Sequence, residues 1–444
     1  MGTLTTIAFI ILSISFMVFV TFFGRLPALR RTPIAWLHRF VWVHIPNGLS
    51  ALDQRLTSGR VTSAFTRFSK FVMYDKHPTV LVRLPIYPRL THSLTHLLTR
   101  KTQIFFFLLL SVGEYLYLPT VWPQLGALQK TTGAIAILLP YLFLYLAAFS
   151  DPGFITPANH AREMARYPFD FTIFHPGAEC RTCGLLKPAR SKHCSVCKRC
   201  IGKLDHHCIF INNCVGVGNH HWFLLLLLST AVLTTYGGVL GVHLMTAKMR
   251  ARFPYWALLP WRANAGKGGL DLKQWLVVWG WGMQDAVTMG AVTLLTIMTS
   301  PLVWGLLGYH LWLVYCGTTT NESMKWADWQ AEMDDGFAFK RRMDPVRDRD
   351  ARFEPQWTRW PVETEQILVI TRDGKPPPPN LTLPGVGEWE PAWRLKDIEN
   401  LYDLGFWDNL VDIFFPEYMF RDPQTPPAEG GRIQRRKKKR RPRG

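Results

Sequence analysis

Residues 180–214 read CRTCGLLKPARSKHCSVCKRCIGKLDHHCIFINNC and hold seven of the chain's eight cysteines. The spacings are Cys180-x2-Cys183, His193-Cys194-x2-Cys197-x2-Cys200, then Asp205-His206-His207-Cys208 and finally Cys214. Cys-x2-Cys pairs present two thiolates to one tetrahedral zinc ion, so this density calls for metal. Two such sites take eight ligands, which six cysteines and two histidines supply, and one thiol is then left over beside an Asp-His pair. That surplus thiol points to chemistry. Spacing alone does not decide which histidines bind metal.

Working outward, 48% hydrophobic content with a net charge of +19 fits either a basic soluble protein or a membrane protein with basic loops. The distribution decides for membrane. Residues 3–23, 104–122, 133–150, 222–246 and 287–316 are apolar runs of about the ~20 residues a helix needs to cross a bilayer. The run 275–283 is too short and too glycine-broken to cross, and reads as a membrane-surface approach to the fifth span. The expected fold is an all-α polytopic membrane protein of about five transmembrane helices carrying a small zinc-bound cysteine-rich domain.

With five spans the loops alternate sides. Segments 24–101, 151–221 and 317–444 carry 13, 9 and 22 Lys and Arg, 44 of the 51, which puts them in the cytosol by the positive-inside rule. Cytosolic thiols stay reduced and favour zinc over a disulfide framework. The chain is expected to divide into an uncleaved N-terminal anchor (1–23), a basic cytosolic segment suited to an anionic lipid surface (24–101), spans two and three (102–150), the cysteine-rich domain (151–221), spans four and five with a lumenal loop (222–316), and a cytosolic tail (317–444).

Smaller signals sit around these. Glu114 is an acidic residue within an apolar run and should face the bundle or a polar cavity. Asp151-Pro152-Gly153 is a turn, Thr319-Thr320-Asn321-Glu322 reads as a helix cap, and Leu401, Leu404, Leu410 and Phe414 form the stripe of a docked helix. Pro376–Pro379 reads as a stiff linker, and 435–441 is an unbroken basic run.

The segment from Lys187-Pro188-x-Arg190 through Asp205-His206-His207-Cys208 to Asn213-Cys214-Val215-Gly216 resembles the cysteine-rich domain of the DHHC protein S-acyltransferases, or palmitoyltransferases. Asp151-Pro152-Gly153, Thr319-Thr320-x-Glu322 and Asn400-x-Tyr402-Asp403-x-Gly405 with Asn409 resemble further elements of that family; Phe210 departs from it where tryptophan is usual. The resemblance implies one zinc on Cys180, Cys183, His193 and Cys200 and a second on Cys194, Cys197, His207 and Cys214. It also implies Cys208 as nucleophile, with His206 as base oriented by Asp205, in a ping-pong transfer of palmitate from palmitoyl-CoA to protein cysteines. Lys187 and Arg190 are expected partners for the CoA phosphates. The layout is similar to the fungal spore-wall-formation type, which implies residence in the endoplasmic reticulum membrane, a cytosolic active site and SNARE-like substrates.

Two rival classes remain from the residues themselves. A zinc-finger nucleic-acid binder is disfavoured by five apolar spans, and no nucleic acid is expected as partner. A non-catalytic membrane adaptor leaves the surplus thiol and its Asp-His neighbours without a purpose.

Overall fold

A computed structural model describes residues 32–59, 101–259, 270–344, 346–355, 363–378 and 383–417, with Phe16, Met17, Val20, Thr21, Gly24, Thr358 and Trp360. The expected first span lies almost wholly outside these residues, as do 60–100 and the basic run 435–441. In chain order the elements are α1 (Pro33–Arg39), a π-helical stretch (Phe40–His44), α2 (Ile45–Thr57), α3 (Lys101–Val121), α4 (Ala127–Phe149) and α5 (His160–Met164). Six short strands follow: β1 (Glu179–Cys180), β2 (Leu185–Leu186), β3 (Lys192–Cys194), β4 (Arg199–Ile201), β5 (His206–Cys208) and β6 (Asn213–Val215). Then come α6 (His220–Arg252), α7 (Leu272–Asp285), α8 (Val287–Tyr315), α9 (Thr320–Asp334), β7 (Ala338–Arg342), β8 (Gln366–Ile370), β9 (Val386–Pro391) and α10 (Phe406–Phe414).

Among the described residues four helices are long and apolar enough to cross a membrane: Thr102–Gln124, Ala127–Phe149, His220–Arg252 and Val287–Tyr315. They match the second to fifth expected runs. Helix α7 has 14 residues, opened by an Asp271–Gln274 capping box. At ~1.5 Å per residue it falls short of the ~30 Å hydrocarbon core, in keeping with the surface approach read from the sequence.

The chain divides into two compact units, Met1–Tyr141 with Leu227–Leu306, and Leu142–Leu226 with Leu307–Gly444. In the first, the Tyr117 hydroxyl donates to the Gly237 carbonyl at 2.7 Å. Glu114 accepts from Tyr141 at 2.7 Å, so the intramembrane carboxylate has a hydroxyl donor. Trp256, Trp275 and Trp279 stack and tilt against one another beside α7, with Trp256 fully buried.

The second unit is built on three antiparallel hairpins, β1–β2, β3–β4 and β5–β6, and a three-stranded sheet of order β8-β7-β9 in the tail. This sheet amends the all-α expectation. Its strands carry Lys340, Arg341, Arg342 and Glu390, and β9 is largely exposed, so no apolar alternation announced it. Tyr167, Phe169, Phe171, Phe174, Trp360, Ile367, Leu401 and Tyr402 form the core of this unit. Of the expected docked-helix stripe, Leu410 and Phe414 pack with Ile413 on Leu224 and Val314, whereas Leu401 and Leu404 join the aromatic core.

Through that core runs a chain of buried charge. Arg190 donates from Nε and Nη2 to the two carboxylate oxygens of Glu322 at 2.7 and 2.6 Å, and from Nη2 to the Gly317 carbonyl at 3.1 Å. Its guanidinium lies over the rings of Tyr402 and Tyr167, 4.4 and 5.2 Å from their centroids. Asp412 accepts from Lys203 at 2.5 Å and from the Tyr167 hydroxyl at 2.8 Å. Removing one member of a buried pair leaves the other charge uncompensated, at about 3–5 kcal/mol. Glu322→Ala should therefore lower the thermal midpoint of the full-length protein by many degrees. The double variant Arg190→Met with Glu322→Leu should recover much of the loss; equal damage in both proteins would show that the pair is not what holds the tail.

Candidate functional site

Each hairpin of the cysteine-rich segment is too short to fold on backbone hydrogen bonds alone, and its side chains explain what holds it. In β3 and β4, His193 lies opposite Cys200; in β5 and β6, His207 lies opposite Cys214. The loops into which Cys180 and Cys194 lead are tight turns, closed by Gly184 N–H to Cys180 carbonyl and Lys198 N–H to Cys194 carbonyl, each 2.8 Å. Gly184 and Lys198 take positive φ there, 63° and 57°.

Two groups of four donors result, Cys180–Cys183–His193–Cys200 and Cys194–Cys197–His207–Cys214, each with its atoms within 4.8 Å of one another. In the first, His193 Nδ1 lies 3.4 Å from Cys180 Sγ, 3.4 Å from Cys183 Sγ and 3.8 Å from Cys200 Sγ. In the second, His207 Nδ1 lies 3.4 Å from Cys197 Sγ and 3.5 Å from Cys214 Sγ. A tetrahedral zinc with Zn–S ~2.3 Å and Zn–N ~2.0 Å has ligand–ligand edges of about 3.5–3.8 Å. Both sites are compatible with zinc.

Because side chains alternate across a strand, β5 sends His207 to one face and His206 and Cys208 to the other. That places His206 and Cys208 side by side on one face, away from the ligand His207. Behind them His206 Nδ1–H donates to Asp205 Oδ2 at 2.6 Å. Asp205 is itself fully buried at the first turn of α9, where it accepts from Thr320 N–H at 2.7 Å and the Thr320 hydroxyl at 2.8 Å. A helix N-terminus favours a carboxylate in this position. Burial alone would raise the Asp205 carboxyl pKa, but the His206 bond together with the charges of His220, His206 and His310 holds the group well below the usual carboxylate range. Burial likewise works to lower the His206 pKa, yet the bond to Asp205 and the nearness of Cys208 lift it to about 10. For Cys208, burial pushes the thiol up while His206 brings it down, and the net direction is below the usual value. Both directions favour charge on the pair, positive on His206 and negative on Cys208.

The Thr319-Thr320-x-Glu322 element makes the cap read from the sequence: Glu322 N–H donates to Thr319 Oγ1, and Thr319 N–H to Glu322 Oε2. Beyond the cap, it also carries Asp205 and Arg190. The turn at Asp151 packs against Gly216 and Gly218, where an added Cβ would meet the Pro152 and Asp151 carbonyls at 2.4 and 2.2 Å. Asn213 donates to the carbonyls of Ala147, Ala148 and Ser150, meeting the bare C-terminal end of α4. Phe210 stands 47% exposed.

Of the two residues expected at CoA phosphates, Arg190 is 1% exposed and committed to Glu322, so the structure removes it from that role. Lys187 is only half-buried. Of the neighbouring lysines, Lys192 donates to Asn321 Oδ1 at 2.7 Å and Lys325 to the Ile173 carbonyl at 3.3 Å. Sequence reading missed Lys203 and Asp412, which carry no local motif.

The family model described as DHHC palmitoyltransferase matches residues 173–327. The chain is 61% identical over 427 residues to Palmitoyltransferase SWF1 of Neurospora crassa, an alignment covering 95% of this chain and 94% of that protein. It is 41% identical to Palmitoyltransferase swf1 of Emericella nidulans, covering 93% and 97%, and 31% identical to Palmitoyltransferase swf1 of Schizosaccharomyces pombe, covering 90% and 94%.

The ligand geometry generates a metal count. Purified full-length protein dialysed against a chelator should retain two zinc ions per chain, and Cys208→Ser should keep both. Cys194→Ala should lose zinc and the fold of its hairpins, since structural zinc contributes an apparent ~10–16 kcal/mol. Loss of an ion in Cys208→Ser would refute the partition of ligands.

Proposed function

The chain belongs to the DHHC palmitoyltransferases, and from that membership we propose that Cys208 carries the acyl group between palmitoyl-CoA and protein cysteines. The observation that carries this reading is the placing of His206 and Cys208 on one strand face, outside both ligand quartets, with Asp205 behind them. The Cys208 thiolate attacks the thioester carbonyl; the new C–S bond forms, the bond to the CoA sulfur breaks, and His206 gives that sulfur its proton. In the second step His206 takes the proton of an incoming protein thiol, which displaces Cys208 from the acyl carbon. Asp205 holds the Nδ1–H of the ring and offsets its charge throughout, the nucleophile–base–orienter arrangement of covalent catalysis. Zinc, when bound, supplies cross-links, since four protein ligands at each site leave no open position.

Lys187, half-buried, is the basic residue suited to the CoA phosphates. The acyl chain, at ~0.8 kcal/mol per methylene, belongs among the membrane helices. Loop charge supports a cytosolic active site; an endoplasmic reticulum membrane and SNARE-like substrates are what the resemblance to the fungal spore-wall-formation type implies.

Incubated with palmitoyl-CoA, the protein should acquire a hydroxylamine-sensitive label. Cys208→Ser should abolish labelling and transfer, and His206→Ala should lower both by roughly 10²–10⁴-fold with zinc intact. Normal turnover in either variant would refute the roles; absence of self-labelling in the parent would favour the adaptor.

Depth generates a second expectation. Cys208 is tied through Asn213 to the end of α4, and α6 begins twelve residues after it, at His220. A receiving thiol must therefore come to the membrane surface, as a cysteine at the cytosolic edge of a single-span helix does. Moving such a cysteine about ten residues into the cytosol, ~15 Å as helix, should abolish its acylation, while changing its neighbours should matter little. Equal modification of the displaced cysteine would require a sequence-reading docking site instead.

A further inference from the structure

We propose that Asp205, His220 and His310 form a third cation site, for an exchangeable divalent transition metal of the zinc class, and that filling it arrests acyl transfer. One donor atom from each of the three lies within 4.8 Å of the others. All three residues are buried, His220 and His310 each 4% exposed. Neither ring nitrogen of His220 has a hydrogen-bond partner, and Nδ1 of His310 has none. An orphaned buried polar atom of this kind needs a water or an ion to answer it.

The donor set favours the ion. Two imidazoles and a carboxylate suit zinc and its first-row neighbours, and imidazole without thiolate does not restrict the site to soft metals. Asp205 has about four lone-pair positions, of which His206 and the two donors of Thr320 use three. One is left for a metal. With three protein ligands and no thiolate, this site is weaker than the quartets, each of which has three cysteines, so its ion exchanges while theirs stay.

The consequence for transfer rests on the proposed function, although binding itself does not. His206 is the neighbour of the site, its ring 5.8 Å from that of His310 and bonded to the same carboxylate. A cation on Asp205 draws off the carboxylate that holds the His206 ring, so the ring is no longer held toward Cys208 and the acyl-enzyme fails to form.

The test uses full-length protein in detergent, first dialysed against a chelator to leave the tight ions, then equilibrated with zinc buffered at stepwise higher free concentration. Metal analysis of the parent should rise from two ions to three per chain. His220→Gln and His310→Gln should each keep two and take up no third. Over the same range self-acylation by palmitoyl-CoA should fall on the order of 100-fold in the parent and hold steady in each variant relative to its own zinc-free rate. Should one variant lose its tight ions, the other decides. A parent that stays at two ions overturns the site, as does a third ion taken up equally by both variants, which would belong to Cys208 and His206. A third ion with undiminished acylation overturns the arrest. Parent protein that never self-acylates even without added zinc would sink the catalytic reading instead and leave the metal count to judge the site.

Discussion

The buried guanidinium of Arg190 sets the terms for the whole cysteine-rich unit. Arginine carries five donors and cannot be deprotonated, so once inside it must be surrounded by acceptors and aromatic faces. Here the acceptors are Glu322 of α9 and the Gly317 carbonyl, and the faces are Tyr167 and Tyr402. Its position fixes α9, and α9 in turn fixes Asp205 by presenting Thr320 to it. The same residue that looked like a phosphate ligand is thus the reason the orienting carboxylate has a place. Burial would depress the pKa of this arginine, but Glu322 overrides it and the charge is kept.

A second constraint, the two-residue period of a strand, sorts the chemistry. His193 and Cys194 are adjacent in sequence yet belong to different ligand quartets, as do Cys197 and Cys200 on the following turn. His206 and His207 part in the same way. With one residue of slip in the β5–β6 register, His206 or Cys208 would stand opposite Cys214 and His207 would lose its place across from it. The zinc sites guard against this, because a slipped hairpin loses a ligand from a quartet that contributes far more than the few backbone bonds of a three-residue strand.

How much of this was legible follows from where the information lies. The ligand inventory was legible, since tetrahedral metal demands paired cysteines and the pairs are local. The choice among the histidines was open from spacing, because it depends on strand register. Four of the membrane runs were legible from length and apolarity alone. Arg190 was misread because its partner Glu322 is 132 residues further on and nothing near Arg190 signals burial. The tail sheet was missed for a different reason. Residues 367–370 form a four-residue apolar run that could equally be a helix fragment, and its neighbour Ala338–Arg342 ends in three basic residues. The aromatic motif around Tyr402 was legible as a docked element, but its target was not: the hydroxyl donates to Pro168, Asn400 to the Cys316 carbonyl and Asn409 to the Val314 carbonyl.

Two of these three contacts show how the tail docks on the end of a helix. Helix α8 finishes at Tyr315, and carbonyls near a helix end are left without intrahelical partners. Asn400 and Asn409 answer two of them from the tail, just as Asn213 answers those at the end of α4 from the cysteine hairpins. Gly317, with φ of 62°, lets the backbone turn beneath Asp403, where an added Cβ would stand 2.5 Å from the Asp403 Cα. Two helices of membrane-crossing length therefore end in side-chain amides supplied by segments distant in sequence, and the segment that answers α4 carries Cys208. Its sulfur takes its position from the end of a helix, as the proposed transfer of an acyl chain to a cysteine near the membrane would require.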